Sequence, residues 1–202
     1  MSAFKKSLIL IFLILLADQV LKVWIKTHMR LGQEYNILGS WFIIHFTENN
    51  GMAFGMEFGG KVGKIILTLF RILAATGIFW YMRHLYKTGA PQGLVLCIAM
   101  IFAGAVGNII DSAFYGMLFN DSYYNIAKFM PEEGGYSTFM LGKVVDMFYF
   151  PIVKGYYPSW FPFHANQQFI FFRPVFNIAD SAITVGVALL LIFQKSYFKN
   201  LK

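Results

Sequence analysis

Charge is scarce in this 202-residue chain: Asp, Glu, Lys and Arg make up 13% of it, against roughly 25% in soluble domains. Such a shortfall argues for a chain bathed in lipid. Cysteine is nearly absent as well. Cys97 stands alone in an apolar run, so no disulfide can form within the chain in any redox compartment, and its thiol reads as a packing group. The four histidines, His28, His45, His84 and His164, are scattered and no His-Glu-x-x-His occurs, which leaves zinc without a ligand set. No metal and no cofactor is expected. Nor does any Gly-x-Ser-x-Gly mark a serine nucleophile. With six prolines and no Pro/Ser/Gly-rich linker, the chain reads as a single domain, 1–202.

What the chain does have is apolar length. Hydrophobic residues are 57% of it, aromatics 19%, and mean hydropathy is +0.56. Four runs, about 8–25, 62–82, 93–111 and 175–193, are read as spans crossing about 30 Å of hydrocarbon at ~1.5 Å per helical residue. The first follows Lys5 and Lys6 as a secretory leader would, but no small-x-small cleavage site comes before the chain turns apolar again, so it is read as an uncleaved span. The net charge of +7 is a matter of orientation and not of nucleic acid. Lys5, Lys6, Arg83, Lys87, Lys195, Lys199 and Lys202 lie at the two termini and in the loop after the second span, with no acid among them. Those segments are expected to be cytoplasmic. The two longer connections balance acids with bases and belong outside. In the first, Trp41 to Phe46 is a β-rich aromatic run, expected as a small sheet at the membrane surface; the second, Ser112 to Pro174, is an aromatic layer interrupted by Pro151, Pro158 and Pro162. The fold expected is an all-α membrane protein, a four-helix bundle with a small extracytoplasmic β-sheet and a long outer loop.

Ionisable groups within spans are costly and functional by default. Phe176-Asn177-Ile178-Ala179-Asp180 sets an amide and a carboxylate three residues apart, on one helical face at the mouth of the fourth span. Gly107-Asn108-Ile109-Ile110-Asp111 repeats the pattern at the end of the third, and Asp146 lies in the apolar piece Val144-Val145-Asp146-Met147-Phe148. The orientation puts Asp111 and Asp146 near the outer interface and Asp180 ~8 Å beneath it. Carboxylates so gathered suit a pair that shares one proton and activates water, because adjacent like charges raise one pKa while the other stays low. Asp18 and Lys22 stand at i, i+4 with the acid first, the favourable order for an ion pair. Arg71, at the midpoint of the second span, is expected to face the bundle and find an acid, Asp18 at its own depth or Asp111 above it, the alternative being an arginine satisfied by backbone carbonyls.

Four motifs in this order resemble those of the lipoprotein signal peptidases, the type II signal peptidases of bacteria: Asp18-Gln19 with Lys22, Asn49-x-Gly51-x-Ala53-Phe54, Gly107-Asn108-x-x-Asp111, and Val144-Val145-Asp146 followed by Phe176-Asn177-x-Ala179-Asp180. The resemblance covers most of the chain. It implies an aspartic endopeptidase of the bacterial inner membrane that removes the signal peptide from diacylglyceryl-modified prolipoproteins, cutting just before the lipid-bearing cysteine at the outer face. Membrane lipids would be its other partners and a monomer its form. By the same resemblance Asp146 and Asp180 are the catalytic pair, Asn49, Asn108, Asp111 and Asn177 line the site, and Asp18 and Lys22 support it. In two places the chain departs from the family pattern. Ser112 stands where an arginine usually follows the first Asn-x-x-Asp, and the stretch from Ser112 to Lys143 is longer. Arg71 is the candidate for the missing positive charge, and Phe114 to Gly142 is expected to be a mobile flap with its tip at Glu132 to Gly135. The rival class is a small proton-coupled transporter or channel subunit, with Asp18, Asp111 and Asp180 as a relay spread through the depth of the membrane.

Overall fold

In the computed structural model, which describes residues 3–51, 59–171 and 174–199, three helices are long and apolar enough to cross a membrane. These are α1 (Ala3–His28), α2 (Gly60–Lys87) and α3 (Gln92–Ile110), the last prolonged by a π-helical turn (Asp111–Tyr115) and a short α4 (Gly116–Leu118). A fourth apolar helix, α5 (Ile178–Ile192), is shorter and leads through Phe193 into α6 (Gln194–Phe198). Helix α3 is the hub, packing on α5, α1 and α2. Helix α2 leaves Val62, Ile66, Phe70, Leu73 and Trp80 exposed along its length, an apolar face that suits surrounding hydrocarbon.

The α3–α5 crossing is a backbone-to-backbone contact. A Cβ added at Gly104 would collide with the carbonyl oxygen of Ala179, so the small residue is what lets the two helices touch. Gly104→Ala is expected to push α5 outward and cost about 1–3 kcal/mol, the range for overpacking a filled core. A denaturation curve in detergent measures it, and an unchanged midpoint would refute the reading.

Four antiparallel strands, β1 (Glu34–Leu38), β2 (Phe42–Asn49), β3 (Val144–Tyr149) and β6 (Val175–Phe176), form one sheet in the order β1-β2-β3-β6. The aromatic run from Trp41 supplies β2, as its composition suggested. Alternation along β3 decides the placement of the site: Val145 and Met147 enter a core with Ile25, Met29, Phe46, Tyr115, Phe119 and Ala127, which turns Asp146 to the opposite face. A second sheet is the hairpin of β4 (Val153–Tyr156) and β5 (Gln168–Phe171).

The outer stretch Phe114 to Gly142 differs from the flap that was expected. Tyr115, Phe119 and Ala127 are buried in the sheet's core, and the backbone is tied down by Leu31 N–H to Ser122 O, Tyr136 N–H to Phe119 O, and Gly142 N–H to Ser112 O. Its exposed pieces are short, among them Tyr123 to Ile126, Lys128 to Met130 and the tip Glu132 to Gly135. Tyr115, Phe119 and Tyr136 meet the apolar back of the sheet, while Phe114, Tyr123, Tyr124, Phe129 and Phe139 stay exposed. Ala53 and Phe54 of the second motif lie outside the described residues.

Candidate active site

Pairing of Phe148 with Phe176 and of Tyr149 with Val175 lays β6 beside β3, so that the next residue, Asn177, arrives next to Asp146. Asn177 is extended and caps α5, its Oδ1 accepting from the Asp180 N–H at 2.9 Å. That bond fixes the amide's sense. Its Nδ2 therefore donates to Asp146 Oδ1 at 2.7 Å, to Val145 O at 3.3 Å and to Asn108 Oδ1 at 3.1 Å. Asn108 is fixed by the same logic. Its Oδ1 accepts from the Lys22 ammonium at 3.0 Å, and since an ammonium can only donate, Nδ2 is the end that reaches Asp180 Oδ1 at 2.8 Å. Each asparagine of the repeated Asn-x-x-Asp motif thus holds one carboxylate of the expected pair. Asn49 adds a bond from Nδ2 to Asp146 Oδ2 at 3.4 Å.

Beneath them, Lys22 is fully buried between Asp18 and Asp111, 2.8 Å from each. Asp18 Oδ1 accepts from the Ala179 N–H at 2.9 Å and Asp111 Oδ2 from the Val145 N–H at 3.2 Å. The two acids therefore grip the residues immediately before Asp180 and Asp146. Gln19, quoted in a motif but given no role from sequence, donates to Asp111 Oδ1 at 2.9 Å and accepts from the Tyr115 hydroxyl at 3.1 Å. Among the described residues, every buried side-chain nitrogen and oxygen has a partner. The contact with Ala179 also corrects the depth expected for Asp18. Asp18, Asp111, Asp146 and Asp180 gather in one cluster, without the spread along the helices that a relay would need.

Arg71 is placed differently from expectation. Lys22 already satisfies Asp18 and Asp111, and no ion pair of Arg71 occurs among the described residues. Its guanidinium donates instead to the Gly51 carbonyl, where the charges that act on it are those of Asp180 first, then Asp146 and Asp111. Gly51 has φ 92° and a Cβ there would lie 2.7 Å from Arg71 Nη1, so glycine is needed both for the turn and for the approach.

A second polar cluster was not read from sequence. Lys26, also buried, pairs with Glu48, donates to Ser122 Oγ at 2.8 Å and lies 4.9 Å from the Tyr136 ring centroid, while Lys143 Nζ reaches Glu48 Oε2 at 3.2 Å. Burial alone would raise the Glu48 pKa, but the two lysines outweigh it and hold the carboxyl below its ordinary range. The sequence mark was there: Asp18, Lys22 and Lys26 form an i, i+4, i+8 stripe down one face of α1.

Burial, and after it the neighbouring charge of Asp180, push Asp146 up to about 7, against the pull of Lys22 and of hydrogen bonds from Asn49 and Asn177. An unfolded aspartate titrates near ~3.9. The folded chain thus holds this proton more tightly, and the stability it contributes is whole below ~4 and lost as pH rises through about 7. The melting temperature in detergent is expected to fall across that window more steeply than it does for Asp146→Asn. Parallel profiles would contradict the assignment.

The comparisons with known proteins agree with this arrangement. Residues 10–195 match the family model described as signal peptidase (SPase) II. A lipoprotein signal peptidase of Porphyromonas gingivalis is 49% identical over 184 residues, 91% of this chain and 80% of the relative. One from Amoebophilus asiaticus is 37% identical over 182 residues, 89% of this chain and 73% of the relative. A bacterial membrane enzyme solved by the in meso method at 2.3 Å resolution shares the fold, with a TM-score of 0.61 at 24% identity, covering 98% of this chain and 93% of that one. Matched along nearly its whole length, with three long apolar helices around a buried polar site, the chain belongs to the signal peptidase II family and is a protease of the bacterial inner membrane.

Proposed function

We propose that Asp146 and Asp180 are the catalytic pair of an aspartic endopeptidase that removes the signal peptide from diacylglyceryl-modified prolipoproteins just before the lipid-bearing cysteine. The observation that carries this reading is the crossed pair of amides, Asn177 on Asp146 and Asn108 on Asp180, which fixes one oxygen of each carboxyl. The substrate class rests on the lipoprotein signal peptidases to which the chain is similar. One carboxyl keeps the shared proton and offers it to the scissile carbonyl oxygen, while the other takes a proton from the attacking water. Asn49 steadies the second oxygen of Asp146, and Asp18, Lys22 and Asp111 hold the backbone behind both carboxyls.

The whole chain, 1–202, acts as one domain and as a monomer, with both termini cytoplasmic and the site at the outer face. Helix α5 serves as the fourth span. Its 15 residues rise about 22 Å, short of the ~30 Å of hydrocarbon. The deficit at its capped end leaves the pair just beneath the outer surface, where a lipid-anchored cysteine holds its scissile bond. Incubation of the purified protein with a diacylated prolipoprotein peptide should give a product that begins at the lipid-bearing cysteine. No cleavage under conditions where the protein stays folded would end the proposal.

Arg71 supplies the positive charge facing the pair from α2. Arg71→Leu is expected to lower kcat/KM roughly tenfold, a barrier change of about 1.4 kcal/mol. The acid limb of the pH profile should also move upward, because a carboxylate is harder to form without a nearby cation. Since Asp18 bonds to Lys22 and Ala179 and not to Arg71, the losses of Arg71→Leu and Asp18→Asn should add. A strong coupling between them would show that the two groups interact after all.

A further inference from the structure

The β4–β5 hairpin leaves the main sheet after β3 and rejoins it at β6, so it is inserted between the strands that deliver the two site carboxylates. Among the described residues it pairs only with itself, from Val153↔Phe171 to Tyr156↔Gln168, and an isolated two-stranded hairpin is marginal in water. Its end is nonetheless closely built. Tyr157 and Gln167 bond across the loop at 3.0 Å, Asn166 N–H donates to Tyr157 O at 3.0 Å, and Phe161 N–H to Pro158 O at 3.0 Å. The Tyr157 ring gathers Phe161 at 4.6 Å, Phe169 at 5.2 Å and His164 at 5.8 Å. This knot leaves Trp160 and Phe163 facing outward, 77% and 96% exposed, with Tyr156 at 71%. Phe163 takes φ 69°, a left-handed conformation that a bulky residue seldom adopts.

Charge adds a second, independent mark. From Met147 to Ala179 the sequence has no Asp or Glu, while it has Lys154, His164 and Arg173. Exposed aromatics in a stretch of sequence that carries bases and no acid match an interface of acyl chains and phosphate headgroups. A protein partner would want a rim and a pocket, whereas a ring exposed to 96% stands clear of its neighbours.

We propose that this hairpin is a membrane-anchoring finger whose Trp160 and Phe163 insert at the headgroup–acyl boundary of the leaflet on the site's side. Under the orientation proposed above, this is the outer leaflet. Because the finger is continuous with β3 and β6, its depth of insertion sets the height of the carboxyl pair against the lipid surface.

The test uses the full chain in vesicles of phosphatidylcholine and phosphatidylglycerol. Replacing Trp24, Trp41 and Trp80 by Phe leaves Trp160 as the one indole of four. Lipids brominated on their acyl chains should quench most of its emission and aqueous iodide little of it. Quenching by iodide alone puts the ring in water, and quenching by neither puts it against protein; either result overturns the proposal. Where the triple replacement does not reconstitute, Phe163→Cys in a Cys97→Ala chain carries a spin label to the same place. Relaxation dominated by oxygen supports insertion, and relaxation dominated by a water-soluble nickel chelate overturns it. Neither readout uses cleavage, so failure of the finger and failure of the peptidase reading are told apart.

Discussion

Asp146→Asn and Asp180→Asn should each lower single-turnover cleavage of a diacylated prolipoprotein peptide by on the order of 10²–10⁴-fold, the range that positioned acid–base groups contribute. The asparagine matches the carboxylate in shape and keeps an oxygen to accept from Asn177 or Asn108. The fold should therefore survive, with Asp146→Asn no less stable than the parent above about 7, where the parent carries the cost of a buried carboxylate. What the amide cannot do is serve as the general acid or general base of the pair. Turnover near the parent rate in either variant, or loss of the folded state in both, would remove the pair from its assigned role.

Lys22→Met is expected to have the largest effect on stability. It leaves Asp18 and Asp111 buried together without the cation that sits 2.8 Å from each, and breaking a buried ion pair by removing one partner costs about 3–5 kcal/mol. It also frees Asn108 Oδ1, so the amide that holds Asp180 can turn over and activity should go with stability. The control is a triple variant, Lys22→Met with Asp18→Asn and Asp111→Asn. Neutral amides in place of the two acids should recover much of the lost stability but not the activity. If the single variant unfolds at the parent's denaturant midpoint, the ion cluster is not what holds α1, α3 and the sheet together.

Features with local spacing were legible in the sequence. Asp18 with Lys22, and Asn108 with Asp111, are one helical turn apart and share a face by periodicity, while Asn177 meets Asp180 as the extended cap of α5 and not as a helical neighbour. The three long apolar helices were legible for a similar reason, since length and composition suffice. What could not be read was which distant backbone each group would meet. Asn49 and Asp146 are 97 positions apart, and nothing in either segment names the other. The partner of Arg71 is a carbonyl oxygen, which every residue has, so only the close approach at Gly51 left a trace. In the outer stretch from Phe114, Tyr115 and Phe119 could not be told from their exposed aromatic neighbours, because Tyr and Phe suit a lipid interface and a protein core equally well.

Sequence separation in the site also dictates when the enzyme comes into being. The socket of Asp18, Lys22, Gln19 and Asp111 needs only α1 and the end of α3, and it can close while the rest of the chain is still being synthesised. The bond from Ala179 to Asp18 spans 161 positions, and Asp180 enters with it. A chain halted before α5 thus has a finished cradle and one carboxyl, but no pair. Under the assignment proposed for Asp146 and Asp180, the helix that supplies the second carboxyl is the last of the described apolar helices to leave the ribosome, so the pair forms only once that helix has been made.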